Sequence, residues 1–217
     1  MNISENLKKI RFEIPPDVTL VAISKTKPNE DIMRAYEFGQ RVFGENKIQE
    51  MARKWEDLPK DIQWHMVGHV QRNKVKYMAP FVSLIHAVDS LRLLKEIDKE
   101  AEKNERIINC LLQVKIAEEE SKYGINVDKV REILSSEVFQ KMTYVKVVGL
   151  MGMATLTEDD RKIKEEFCSL KTLFEELKKE HNFTTLSMGM SGDYKIALEC
   201  GSNMVRVGSS IFGKRNY

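Results

Sequence analysis

The chain has 217 residues, 42% of them hydrophobic and 31% charged, an ordinary globular balance that can bury a sizeable core within one domain. Thirty-five basic residues against thirty-three acidic ones leave a formal charge of +2, too weak and too dispersed for a nucleic-acid footprint. The amino-terminal MNISENLKKIRFEI lacks the apolar core of a signal peptide and no later run approaches about 18 apolar residues, so a cytoplasmic protein without a membrane partner is expected.

Short apolar or β-branched runs recur along the chain: VTLVAIS (18–24), RVFG (41–44), QWHMVG (63–68), SLIHAVD (83–89), INCLLQVKI (108–116), YVKVVGLMGM (144–153), TTLSMGM (184–190) and NMVRVG (203–208). Between them lie segments of helical spacing, clearest over 158–177, where Ile163, Phe167, Leu170, Phe174 and Leu177 recur at steps of three and four. Thr157 with Asp160 three residues on predicts the start of that helix. Pro28, Asn46, Ser90 and Asn126 mark other starts, and Gly39 and Gly201 mark ends. Strands apolar on both faces and separated by helices imply a parallel sheet covered by helices. Eight such units favour an α/β fold of the closed (β/α)8 TIM-barrel type, one domain over residues 1–217, above an open doubly wound sheet. Cys110, Cys168 and Cys200 are odd in number and show no C-x-x-C spacing, so they are expected to be reduced, mostly buried small side chains.

In such a barrel the chemistry sits at the carboxyl ends of the strands, with phosphate often held after strands seven and eight. Strand seven ends in Met190, Ser191 and Gly192, strand eight in Arg206, Val207, Gly208, Ser209 and Ser210. Glycine lets backbone N–H groups approach an anion and serine adds a hydroxyl. Lys25 ends strand one, beside strand eight once the barrel closes. A desolvated lysine has a lowered pKa and forms Schiff bases with aldehydes. An amine beside a phosphate site points to pyridoxal phosphate, or to a Schiff-base aldolase acting on a sugar phosphate. Lys27 has the same strand parity and competes with Lys25; the apolar run before Lys25 and the loop break after Lys27 favour the earlier residue. Arg206 on an apolar strand needs an acceptor, and a ring nitrogen would serve.

Other groups carry less. His65 and His69 have zinc-pair spacing, but on strand and turn rather than on one helix face, so no metal is expected. His86 reads as a satisfied core histidine, QRNKVK (71–76) as a solvated helix face, and the acidic stretch 118–121 as a solvated loop on the functional rim, with gating as the alternative.

The segments AISKTKP (22–28), FGENKIQE (43–50), WHMVGHVQRNK (64–74), HAVDS (86–90), EESKYG (119–124), LSMGMSGDY (186–194) and VRVGSSIFG (205–213) closely resemble, in order and spacing, the YggS/PROSC family of pyridoxal phosphate homeostasis proteins. The resemblance implies the barrel of the alanine racemase amino-terminal domain, with Lys25 holding the cofactor as an internal aldimine. It further implies Ser191, Gly208 and Ser209 on the phosphate, Arg206 at the pyridine nitrogen, and Asn46, with His65 a weaker carry-over, lining the pocket. Lys195 departs from a family in which that position is often acidic.

An arginine opposite the ring nitrogen leaves that nitrogen unprotonated and weakens the electron sink. Racemisation needs a second base, supplied in alanine racemase by a further domain, whereas this chain stops about ten residues after its last strand. A protein that stores, delivers or buffers the cofactor is therefore expected rather than an enzyme, as a monomer, with pyridoxal-phosphate-dependent apo-enzymes as recipients. The alternatives are a small racemase in which His65 or Tyr194 is the partner of Lys25, and the aldolase.

Overall fold

The computed structural model describes residues 2–118 and 123–213, and residues 119–122 of the expected rim loop lie outside them. All eight expected strands form: β1 (Thr19–Ile23), β2 (Val42–Glu45), β3 (Gln63–Met66), β4 (Leu84–Val88), β5 (Ile108–Val114), β6 (Val145–Gly152), β7 (Thr185–Met190) and β8 (Met204–Val207). They pair in parallel in chain order and close into a barrel, β8 returning to β1 in a register that sets Val21 against Arg206. Inward positions of several strands, Val21, Leu84, Leu111, Val148, Met151 and Met204, form a small interior cluster. The larger core lies between strands and helices and includes Phe43, Trp64, Phe167 and Leu186. Because the strands are buried on both faces, they read as continuous apolar runs rather than as alternating ones.

Before β1 runs α1 (Ile3–Glu13), capped by Asn2; between the strands lie α2 (Asn29–Glu37), α3 (Ile48–Asp57), α4 (Leu91–Lys103), α5 (Val127–Ser135), the single turn α6 (Glu137–Gln140), α7 (Asp160–His181) and α8 (Tyr194–Glu199), and α9 (Ser209–Phe212) follows β8. Ser90 and Asn126 accept from the amides of Leu93 and Lys129, as helix caps do, and Gly39 and Gly201 take positive φ just past α2 and α8.

Four expectations are corrected. The cap of α7 is Asp159, whose carboxylate accepts from the amides of Arg161 and Lys162, while Thr157 accepts from Asp159 one step earlier. The N-cap of α3 is Lys47, not Asn46. Residues 72–77 form a tight 3-10 turn rather than an α-helical face. Cys168 on α7 and Cys200 at the end of α8 are joined in a disulfide, their Cα atoms 5.2 Å apart, and only Cys110 among the three cysteines is free, buried in the core. Spacing rules miss this bond because they are written for disulfide-dense small folds and metal sites, whereas here two helices that pack side by side bring together cysteines 32 residues apart.

Candidate functional site

At the carboxyl end of the barrel a cavity of about 440 Å³ opens between the ends of β1, β7 and β8, a size suited to a small cofactor. Lys25 and Lys27 line it from the segment after β1, Met190, Ser191 and Gly192 from the loop after β7, and Arg206, Gly208 and Ser209 from the end of β8. Leu156, 87% exposed, edges it from the loop after β6. Among the described residues the lining holds no carboxylate.

The anion side is set by two close approaches. Ser191 Oγ accepts from the Gly208 amide at 3.1 Å, tying the loop after β7 to the end of β8. A Cβ on Gly208 would lie 3.2 Å from the Ile23 carbonyl oxygen and Cβ, so a side chain there would push β8 away from β1. A Cβ on Gly192 would meet nothing within 4 Å, so its backbone faces open space. With two lysines, an arginine, serine hydroxyls and glycine-rich backbone, the donor set suits an anionic ligand that also carries an electrophilic carbon.

The two lysines differ in their surroundings. Lys27 Nζ donates to the Phe212 carbonyl at 2.8 Å, the end of α9. Lys25 is half-buried and its segment is clamped from outside the barrel. Lys54 on α3 donates from Nζ to Glu45 Oε1 (2.8 Å), to the Ser24 carbonyl (2.9 Å) and to Glu50 Oε1 (2.7 Å). Ser24 Oγ donates to the same Glu45 oxygen at 2.6 Å, and the Thr26 amide donates to Glu50 at 2.6 Å. Thr26 is held at φ 64°, a left-handed conformation that costs a threonine roughly 1–2 kcal/mol and that the Glu50 bond offsets. The residues on both sides of Lys25 therefore answer to one buried ammonium. Burial pushes the Glu45 carboxyl above the ordinary range, against the pull of Lys54 and Ser24, and its Oε2 has no partner among the described residues.

The inner wall is a buried polar chain. Arg206 donates from Nη1 to Ser187 Oγ (2.7 Å) and from Nη2 to the Gly152 carbonyl (3.0 Å). His86 Nδ1 lies 3.1 Å from Ser187 Oγ, and His86 Nε2 lies 3.0 Å from His65 Nδ1. Burial lowers the Arg206 pKa to about 10, leaving it charged at neutral pH, pulls His65 down to about 3 and holds His86 well below its usual value.

Of the residues expected to hold the cofactor, Lys25, Ser191, Arg206, Gly208 and Ser209 meet at this cavity, and Asn46 does not line it. Asn46 is exposed at the end of β2, its backbone and side-chain oxygens packed so closely on Gly68 that a Cβ there would clash. The two partners considered for racemisation lie elsewhere: His65 is within the barrel, and Tyr194 bonds to Glu13, its pKa raised to about 12 by burial and by that bond. His69 pairs with Asp89 at the surface, and no metal-ligand cluster occurs among the described residues. Sequence reasoning did not find the Lys54–Glu45 clamp or the role of Ser187. The inward parity shared by Ser187, His65, His86 and Arg206 was the available signal for the second.

The family model described as alanine racemase, N-terminal domain, matches residues 1–216. The pyridoxal phosphate homeostasis protein of Aquifex aeolicus is 39% identical over 201 residues, covering 91% of this chain and 87% of that protein. That of Schizosaccharomyces pombe is 39% identical over 203 residues, covering 92% and 85%. PipY of Synechococcus elongatus, solved with PLP bound, superposes with a TM-score of 0.88 at 34% identity over 97% of this chain and all of that one. Alanine racemase of Clostridium difficile, at 13% identity and a TM-score of 0.81, matches all of this chain with 57% of its own and shares the fold. Among the described residues no helix is long and apolar enough to cross a membrane. On this coverage and identity, the chain belongs to the pyridoxal phosphate homeostasis protein family, built on the alanine racemase amino-terminal domain.

Proposed function

We propose that this chain binds pyridoxal 5'-phosphate and serves its homeostasis in the cell, storing, delivering or buffering the cofactor as a cytoplasmic monomer with pyridoxal-phosphate-dependent apo-enzymes as recipients. What supports the reading is a single arrangement: Lys25, Arg206 and the Ser191, Gly208 and Ser209 loops share one cavity that, among the described residues, holds no carboxylate. The relatives named above are pyridoxal phosphate homeostasis proteins, and PipY has been solved with PLP.

When bound, the cofactor supplies a carbonyl carbon for attachment to an amine and an aromatic ring that draws electron density. In this reading Lys25 Nζ is the point of covalent attachment. Ser191 and Ser209, with the backbone at Gly192 and Gly208, hold the phosphate. Arg206 presents a donor rather than a carboxylate to the ring nitrogen and so keeps no proton there. That last property, together with the absence of His65 and Tyr194 from the cavity lining, favours a binding protein over a racemase.

The test is borohydride reduction of the protein loaded with pyridoxal phosphate, followed by peptide mass spectrometry. One pyridoxyl adduct on Lys25, lost in Lys25→Ala together with the visible absorbance, is the expected result. An adduct on Lys27, or none, would reject the assignment. Covalent trapping of a sugar phosphate by protein that takes up no pyridoxal phosphate would favour the aldolase.

A further inference from the structure

The polar chain across the barrel interior has a direction that one residue dictates. A guanidinium has donors and no acceptor, so the 2.7 Å contact between Arg206 Nη1 and Ser187 Oγ carries an Arg206 proton. Among the described residues, the other partner of Ser187 Oγ is His86 Nδ1 at 3.1 Å. Ser187 Oγ could accept a second time, but its own proton then has no acceptor among the described residues; donation to His86 Nδ1 satisfies it, and that nitrogen is bare. A neutral imidazole with a bare Nδ1 carries its proton on Nε2, and that proton points at His65 Nδ1, 3.0 Å away. His65 Nδ1 must be bare in turn, and its proton sits on Nε2. Every link donates away from Arg206.

We propose that Ser187, His86 and His65 form a one-way hydrogen-bonded chain that positions Arg206 as a fixed donor on the cavity wall, which makes Ser187 and His86 positioning residues for the ligand atom that Arg206 meets. Two N–H groups of the fork are committed inward, to Ser187 and to the Gly152 carbonyl, so the plane of the guanidinium is set before any ligand arrives. A second proton has a cost at either histidine: on His86 Nδ1 it would turn the Ser187 hydroxyl away and leave that hydroxyl proton without an acceptor among the described residues, and on His65 Nδ1 it would face the N–H of His86. The chain therefore leaves Arg206 as the single cation of the group. A ligand carrying an acceptor at that wall, such as an unprotonated heteroaromatic nitrogen, is favoured over one carrying a donor. Identifying that acceptor with the pyridine nitrogen rests on the function proposed above; the polarity of the chain does not.

Two measurements test the inference. In ligand-free protein labelled with 15N-histidine, long-range 1H–15N correlation at pH 7.5 is expected to show both His65 and His86 with the proton on Nε2. A proton on Nδ1 of either ring, or an imidazolium at either, overturns the chain. In absorbance titrations with pyridoxal phosphate, Ser187→Ala and His86→Leu are expected to bind roughly tenfold more weakly than the unaltered protein, the scale of one hydrogen bond to a charged group. His86→Gln, whose amide oxygen can accept from Ser187 while its NH2 donates to His65, is expected to retain affinity within about threefold by the same hydrogen-bond scale. Affinity kept by leucine and lost by glutamine would assign His86 to packing and overturn the proposal. Should His86→Leu fail to fold, Ser187→Ala, His86→Gln and the tautomers decide. Failure of the unaltered protein to take up pyridoxal phosphate would reject the cofactor reading and leave the tautomer result standing on its own.

Discussion

Replacing Lys54 by methionine tests the clamp behind Lys25, because the methionine keeps the stem and deletes the ammonium. Glu45 is fully buried, its Oε1 receives Lys54 at 2.8 Å and its Oε2 already lacks a partner among the described residues. Two routes remain for it. If it stays ionised, breaking a buried pair costs about 3–5 kcal/mol. If it takes up a proton instead, the cost at pH 7.5 is the three units separating that pH from an ordinary carboxyl value of 4.5, at about 1.4 kcal/mol each, or about 4 kcal/mol. Both give a loss near 4 kcal/mol, but only the second depends on pH. With the cation gone, the folded-state pKa of Glu45 lies above its unfolded value, so the folded state binds the extra proton and gains relative stability as pH falls from 7.5 toward 4.5. Urea denaturation of Lys54→Met against the unaltered protein should therefore show a deficit near 4 kcal/mol at pH 7.5, shrinking by about 1.4 kcal/mol per pH unit until Glu45 of the unaltered protein, itself raised by burial, also takes up a proton. The pair Glu45→Gln with Lys54→Met should recover most of the loss. A deficit below about 1 kcal/mol at pH 7.5, the range of an exposed pair, would refute the reasoning, and a deficit independent of pH would refute the protonation route. Lys54→Met should also release pyridoxal phosphate faster, since the Ser24 carbonyl and Glu50 lose their common donor.

Arg206→Ala should keep the barrel by circular dichroism and weaken pyridoxal phosphate binding at least roughly tenfold; unchanged affinity would remove Arg206 from the site. Burial holds His65 neutral with a pKa near 3 against an ordinary 6.5, so the unfolded chain binds the extra proton between those values and stability falls with pH. At pH 5 that amounts to about 2 kcal/mol relative to pH 7.5, and the stability–pH curve of His65→Asn should lack this component; identical slopes for the two proteins would contradict a buried neutral imidazole. The Cys168–Cys200 bond closes a loop of 32 residues, worth about 3–4 kcal/mol by chain entropy. Unreduced, denatured protein should therefore show one titratable thiol, Cys110, and reduced protein three, whereas three thiols before reduction would mean that the bond is not made.

What the sequence makes legible and what it hides follow from the range of the forces involved. The strands are visible because a barrel buries both faces of each, so β6 from Val145 to Gly152 reads as an apolar run whatever surrounds it. Closure then places Lys25 beside Arg206 and Ser209 with no further information, since neighbouring strand ends converge once β8 pairs with β1. The clamp and the interior chain are hidden because each joins groups whose meeting depends on strand tilt and helix packing: Lys54 with Glu45, nine residues apart across a strand-to-helix turn, and Ser187 with His86, 101 residues apart. Asn46 shows the limit of pattern in the other direction. It sits inside a family-like motif, yet in this structure it packs on Gly68 outside the cavity. Local periodicity reports burial, and burial is a property of one residue; a site is a relation among several, recoverable from sequence only where the topology forces their approach. The ends of β1 and β8 satisfy that condition. The end of β2 does not, because Asn46 leaves its strand with its side chain toward the β3 turn rather than toward the β1–β8 seam.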